Sequence, residues 1–474
     1  MITLVGAIVI GLTGLMIKPP QSSARPNILL IMSDDQGWGD AGYQDHPELK
    51  TPYLDSLAAD GLVFNRFYAA APVCSPTRGS MLTGRHPYRY GIYYANVGHL
   101  PKEEVTLPEL LREQGYRTGH FGKWHLGLMD SLVVESNRGG IAKNQQHYAP
   151  PWEHGYDQCF ATESKVPTWN PMVNPPHTVA GANKKQSEGD SFGTYYWTGP
   201  GRLATNNLTG DDSRVIMDRV IPFVEQAVRE DTPFFATIWF HTPHSPVVAG
   251  EAYRQPYTHL PSEKQHYYGS LTAMDKQIGR LREVLRQAGV AEHTLIWFCS
   301  DNGPAAGGGG PGWQTGGRQQ GLTGGLKGRK GSLYEGGIRV PGVVVWPAAI
   351  PAGQSTEVPV TTSDILPTLG ELLGIDLSSL HLDGESMKDL LTKNAEQPRK
   401  KAIGFQSRFE GNEHQVWMGN RYKLHRTVNS DSLWLTDLVR DPQESKNLAL
   451  ERPELADEMS QALARWIERC KDDR

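Results

Sequence analysis

Two acidic pairs are the first groups in this sequence able to do chemistry. Asp34 and Asp35 follow an apolar run in "NILLIMSDDQGWGD", and Asp301 and Asn302 follow another in "TLIWFCSDNG". Three carboxylates and an amide at the ends of strand-like runs make an oxygen-rich site for a hard cation. Such donors suit Ca2+, which tolerates more ligands and looser geometry, ahead of Mg2+. Cationic and imidazole groups recur in similar settings. Lys123 and His125 lie two apart in "HFGKWHLG" and share a face if that stretch is extended. His241 and His244 follow a third apolar run in "FHTPHSP", and Lys327 sits in the glycine-rich "GGLKGRKGSLYEGGIRVP". Arg78 lies beside Cys74 in "APVCSPTRGSMLTGR", at the start of a helix-like stretch. A metal with several Lys, Arg and His side chains is how a protein binds a tetrahedral oxyanion ester and offsets its transition-state charge.

The elements that must position these groups are legible as alternating patterns. Residues 27–33, 234–240, 294–300 and 340–347 are near-continuous apolar runs, as expected of strands covered on both faces. Helical patterns fall at 51–61, 106–115 and 363–374, opened by Thr51, Thr106 and Ser363 as caps, and two longer ones at 211–229 and 263–289. The alternation predicts an α/β fold with a large central sheet sandwiched by helices, with its site at the strand ends. Residues 128–210 and 303–332 lack periodicity and are expected to be binding loops or disordered. In the first of them Trp152, Trp169, Trp197 and His177 either meet sugars or pack the loop on itself. After about residue 398 short alternating runs at 402–407, 414–419, 422–427 and 432–438, then a helix at 452–470, predict a smaller unit of antiparallel sheet plus helix. The expected division is therefore a catalytic domain over 25–397 and a C-terminal subdomain over 398–474.

The stretch "CSPTRGSMLTGR" resembles the signature of the sulfatase family, Cys-x-Pro-x-Arg followed by Leu-Thr-Gly-Arg. Other landmarks are similar and in order: "PNILLIMSDDQGWGD", "GKWHLG", "PHSP", "SDNG", "GGLKGRKGSLYEGGIRVPG" and "LTDLVRDPQESKNLA". The resemblance spans roughly residues 26–450. It implies an alkaline-phosphatase-like sheet and hydrolysis of a sulfate ester. It also implies that Cys74 is a precursor, oxidised by a maturation enzyme that reads Pro76 and Arg78, to a formylglycine aldehyde. On this resemblance Asp34, Asp35, Asp301 and Asn302, with an oxygen of modified Cys74, hold the cation. Asp301 takes the proton of the attacking hydroxyl, and His244 and Lys327 protonate the leaving oxygen. His125 removes the proton from the second hydroxyl, Lys123 and Arg78 steady the aldehyde and the sulfate, and His241 is structural.

Bulk properties bound the partners. The 474 residues carry 47 basic and 52 acidic side chains, a net charge of −5, with no long basic tract to suit nucleic acid. The uncharged run at 2–17 followed by "QSSA" is expected to be a signal peptide cleaved after Ala24, exporting the protein to a periplasm or the exterior without a stable membrane partner. Cys299 sits in an apolar run and is expected to be a small buried hydrophobe. A sulfated carbohydrate is the expected substrate, ahead of an aryl sulfate. Two alternatives stay open: hydrolysis of a phosphate ester on a related fold, and binding of sulfated glycans without catalysis if Cys74 is never converted.

Overall fold

The computed structural model describes residues 25–177, 179, 181–305, 320–409 and 412–472. The expected signal peptide lies outside the described residues, as do residues 306–319 of the second aperiodic stretch. The chain lays down β1 (Asn27–Ser33), β2 (Leu62–Phe64), β3 (Phe67–Tyr68), β4 (Arg117–Lys123), β5 (Gln158–Thr162), β6 (Trp197–Gly199) and β7 (Arg202–Leu203). It continues with β8 (Phe234–Trp239), β9 (Thr294–Ser300), β10 (Arg339–Val340), β11 (Gly342–Val345), β12 (Gln354–Thr356) and β13 (Val360–Thr361). Ten of these strands form one sheet in the order β12-β2-β11-β9-β1-β8-β4-β5-β6-β7. The central five, β9-β1-β8-β4-β5, are parallel, whereas β11 against β9 and β6 against β5 are antiparallel, so the sheet is mixed.

Both faces of the sheet are covered, which explains the near-continuous apolar strands. Along β1 the side chains of Ile28, Leu30 and Met32 enter one core and those of Leu29 and Ile31 the other. Helices Asp212–Arg229 and Ser262–Gln287 supply Val215, Val220, Leu271 and Met274 to the second core. Helices Leu107–Glu113 and Ile365–Leu373 supply Leu107, Leu111, Leu366 and Leu369 to the first.

The helix caps differ in detail from expectation. Thr106 and Glu109 form the anticipated reciprocal cap, the Thr106 amide donating to Glu109 Oε2 at 2.9 Å. Thr51 instead spends its hydroxyl on Asp55, and the free amides of Tyr53 and Leu54 donate to Asp275 of a neighbouring helix at 3.2 and 2.7 Å. A packed carboxylate has replaced the local cap. Ser363 lies inside a short 3-10 turn, and the cap there is Thr361 with Asp364. Strand β5 runs through a stretch expected to be loop, because a five-residue buried parallel strand has no alternation to read.

The C-terminal strands β14 (Ile403–Phe409), β15 (Asn412–Met418), β16 (Tyr422–Thr427) and β17 (Ser432–Asp437) form an antiparallel sheet in chain order. Helix Pro453–Asp472 packs on one face through Ala456 and Met459 against Leu424 and Leu435. The other face buries Phe405, Val416 and Met418 against Tyr68, Leu333 and Ile338. A buried ionic knot joins the two parts: Lys423 Nζ meets Glu335 Oε1 and Glu444 Oε1, both at 3.0 Å, with none of the three side chains more than 1 % exposed. Glu444 Oε2 also accepts from the Glu335 amide at 2.6 Å. Lys423→Met leaves two carboxylates buried without their cation, and is expected to destabilise the protein by about 3–5 kcal/mol in chemical denaturation. A loss below about 1 kcal/mol would mean the knot contributes little.

Candidate active site

The topology brings the two acidic pairs together. Strands β1 and β9 are parallel neighbours in register, Ser33 opposite Ser300, so Asp34–Asp35 and Asp301–Asn302 leave the sheet side by side at the carboxyl ends of the strands. The Asp35 amide donates to Asp301 Oδ1 at 3.1 Å, and Asn302 Nδ2 donates to Asp35 Oδ1 at 2.7 Å. Asp35 holds a positive φ of 69°, which turns its carboxylate back toward the cluster. All four residues are buried. Burial raises the Asp34 carboxyl, but Lys123, Arg78 and Lys330 outweigh it and hold Asp34 well below the ordinary range. Burial, with Asp34 beside it, pushes Asp301 up to about 6 against the pull of Arg78.

Cys74 opens helix Cys74–Thr83 directly over these carboxylates. Its Sγ lies 3.6 Å from Asp34 Oδ1 and 3.3 Å from Lys330 Nζ, and it is 1 % exposed. Burial pushes the thiol up to about 12 in spite of Lys123 and Lys330. An unmodified Cys74 is thus a protonated, unreactive thiol at neutral pH.

Three cations balance the three carboxylates. Arg78, one helical turn after Cys74, directs Nε and Nη2 at Asp301 Oδ2 (3.1 and 2.6 Å) and Nη1 at the Lys123 carbonyl (3.0 Å). Lys123, the last residue of β4, donates to Asp34 Oδ2 at 2.6 Å with no exposed surface. Lys330 pairs with Asp35 Oδ1. His244 directs Nε2 toward Asp35 Oδ2 at 3.8 Å and Nδ1 to the Ser245 carbonyl at 2.7 Å. Burial pushes its imidazole down to about 3, so the ring is neutral, its Nδ1 proton goes to that carbonyl, and Nε2 is bare.

Two placements differ from the sequence expectation. Lys327 does not reach the cluster. Its ammonium lies 4.1 Å from the Tyr334 ring centroid and 4.3 Å from that of Trp434, and donates to the Glu444 carbonyl at 3.4 Å. Lys330, three residues on, takes the place expected of it. The Lys330 amide is fixed to the Pro304 carbonyl just past Asp301–Asn302, and the Gly331 amide to the Pro72 carbonyl just before Cys74. In addition, β4 ends at Lys123, and His125 reaches the region from a left-handed turn, φ 60°, not from a shared strand face. His241 is fully buried between Asp212 Oδ2 (2.8 Å) and Thr162 Oγ1 (2.7 Å), a structural setting. Trp197 is also fully buried.

The carboxylate oxygens gathered here fit a hard cation, whereas the unmodified Cys74 thiol does not. Asp34, Asp35, Cys74 and His244 each present one ligand atom within 4.8 Å of the others. Asn302 Oδ1 is buried without a hydrogen-bond partner, an orphaned oxygen at the same place. Adding a divalent cation to three carboxylates and three side-chain cations leaves the pocket net positive, as an anionic ester requires.

Comparison with known proteins identifies relatives of the whole fold. The model of the family described as Sulfatase matches residues 26–375. That for the C-terminal part of N-sulphoglucosamine sulphohydrolase matches 329–472. Arylsulfatase A of Homo sapiens is 32 % identical over 403 residues, covering 81 % of this chain and 71 % of that protein. N-acetylgalactosamine-6-sulfatase of Canis lupus familiaris is 32 % identical over 374 residues, 76 % of this chain and 62 % of that one. The crystal structure of Ps i-CgsB in complex with k-i-k-neocarrahexaose superposes with a TM-score of 0.79 at 27 % identity, covering 95 % of this chain and 94 % of that one.

Proposed function

This chain belongs to the sulfatase family and hydrolyses a sulfuric ester, and from that premise we propose that the ester is carried by a carbohydrate and that Cys74 acts as formylglycine beside a divalent cation. The observation that carries the proposal is the meeting of Cys74, three carboxylates and three cations in one buried pocket. Asp34, Asp35, Asp301 and Asn302 would hold the cation, Ca2+ ahead of Mg2+, since Ca2+ tolerates more ligands and looser geometry. When bound, the cation offsets sulfate charge, while the hydrate of the aldehyde made from Cys74 supplies the attacking hydroxyl.

The remaining roles fall to the chain's own side chains. Asp301, with its raised pKa, takes the proton of the attacking hydroxyl. Arg78 and Lys123 hold positive charge against the sulfate oxygens. Lys330 takes the role expected of Lys327: it is protonated, and so has a proton to direct at the leaving oxygen. Neutral His244 is oriented by its Nδ1–H on the Ser245 carbonyl, and its bare Nε2 accepts a proton and does not supply one to the leaving oxygen as the sequence led us to expect. His125 accepts the proton when sulfate is expelled. Support for a carbohydrate comes from the relatives, one of them named for a sugar and another solved in complex with k-i-k-neocarrahexaose.

The test is sulfate release from a panel of defined sulfated glycans and one aryl sulfate, using protein co-expressed with a maturation enzyme. A higher kcat/KM on a glycan than on the aryl ester is expected. Activity confined to the aryl ester would sink the carbohydrate assignment, and faster release of phosphate from phosphate esters would sink the substrate class.

Cation binding has its own readout. Raising free Ca2+ to about 100 times its Kd is expected to stabilise the fold by about 2.7 kcal/mol, seen as a rise in thermal midpoint. Asp35→Asn should blunt that rise. An equal response in the variant would place the cation elsewhere.

A further inference from the structure

His125 is held by a chain of side chains that reaches well outside the cation pocket. Its Nε2 lies 2.7 Å from Asn96 Oδ1. The same oxygen accepts from Asn137 Nδ2 at 2.8 Å, and Asn137 Nδ2 also donates to Glu163 Oε1 at 3.2 Å. Glu163 is anchored in turn: Arg138 Nε donates to Oε1 at 3.4 Å and the Gly139 amide to Oε2 at 2.9 Å. The other nitrogen of His125, Nδ1, is buried and has no hydrogen-bond partner.

The direction of this chain follows from the groups at its end. Arginine and a backbone amide only donate, so Glu163 accepts on both oxygens. Burial pushes both Glu135 and Glu163 up, Glu135 to about 8, while Arg138 and the Gly139 amide pull Glu163 back down and keep it the acceptor. Asn137 must therefore turn its NH2 toward Glu163, and that same NH2 faces Asn96. Asn96 must answer with its oxygen, which leaves His125 Nε2 as the donor. A neutral imidazole with its proton on Nε2 has its lone pair on Nδ1.

We propose that Asn96, aligned by Asn137 and Glu163, is a positioning residue that fixes the tautomer of His125 and leaves Nδ1 as the atom that accepts the proton when sulfate departs. The kinetic part rests on the sulfatase reading above; the tautomer does not. The Asn96 backbone amide also donates to Ser75 Oγ at 3.5 Å, beside Cys74, while the Asn96 side chain meets His125 and the side chains of Asn96 and Asn137 meet each other. They act through His125, which also reaches Glu163 directly, its amide donating to the Glu163 carbonyl at 3.1 Å. The left-handed turn at His125 is thereby tied at both ends, ring and backbone.

The test is nitrogen NMR of the whole protein with labelled histidine, where two-bond proton couplings report which ring nitrogen carries the proton, and His125→Gln identifies the signal. The Nε2–H form is expected in the wild type, in Asn96→Asp, whose carboxylate still accepts, and in no dominant amount in Asn96→Ala. On a sulfate ester, Asn96→Ala is expected to lose about 10- to 100-fold in kcat with KM within about threefold. Asn96→Asp is expected to recover most of that loss. A proton found on Nδ1 in the wild type overturns the proposal even if no variant folds. So does an Asn96→Ala protein that keeps both the Nε2–H form and its kcat. A wild type inactive on every sulfate ester, but with His125 as the Nε2–H form, counts against the substrate reading and leaves the tautomer standing.

Discussion

Replacing Cys74 by alanine is expected to lower sulfate-ester hydrolysis by about 10⁴-fold or more while leaving the protein folded, because the change removes the nucleophile and little else. The side chain is small, buried and packed beside charged groups, so the loss of stability should stay near 1 kcal/mol. Cys74→Ser separates two explanations. A serine hydroxyl can attack sulfur once but has no second hydroxyl with which to expel the sulfate, so at most one turnover per site is expected. The measurement is sulfate release against time, paired with the mass of the Cys74 peptide in the wild type. Conversion of the thiol to an aldehyde lowers that mass. An unconverted thiol together with full activity would overturn the formylglycine assignment. An unconverted, inactive protein that still binds sulfated glycans would favour the binding alternative. The raised thiol pKa argues the same way, since burial keeps an unmodified Cys74 protonated and unable to attack.

Lys330→Ala is expected to reduce kcat by about 10²–10³-fold, whereas Lys327→Ala should stay within a few-fold of the wild type. The two lysines are three apart in one glycine-rich loop, yet only Lys330 lies on Asp35 and within 3.3 Å of Cys74 Sγ. Lys327 is turned outward, between Tyr334 and Trp434. Removing it forfeits cation–π contacts of about 0.5–1 kcal/mol each, an effect on stability and not on the reaction. Steady-state kinetics of both variants on one substrate decides the matter. Equal losses would mean that the loop acts as a unit, and the reverse order would return the role to Lys327. Removal of Lys330 also leaves Asp35 without its cation, so cation affinity should rise in that variant while kcat falls, an opposition that a folding defect cannot mimic.

The sequence alone carried β1, β8 and β9 of the five central strands, several of the helices and the C-terminal sheet, but not β4 or β5. Strand β9 (294–300) coincides with its apolar run, and so does β1 (27–33), because strands buried on both faces admit almost nothing polar. The acidic pairs were legible for the same reason: a carboxylate immediately after such a run stands at a strand end, where α/β folds place their sites. The cysteine signature, and the family it indicates, were equally a matter of local residue order.

Tertiary structure decided the rest. Lys327 and Lys330 are alike in type and surroundings along the chain. What distinguishes them is the pair of backbone hydrogen bonds from 330 and 331 to the segments around Pro304 and Pro72, over two hundred residues apart in sequence. The cap on the helix at 52–59 comes from Asp275, and the orientation of His125 from Asn96, Asn137 and Glu163, groups that no spacing rule relates. Periodicity and motif report what a residue's neighbours in the chain require of it. Which of two equivalent lysines meets a carboxylate, and which nitrogen of a histidine holds its proton, depends on donors and acceptors brought together only when the loops close over the sheet.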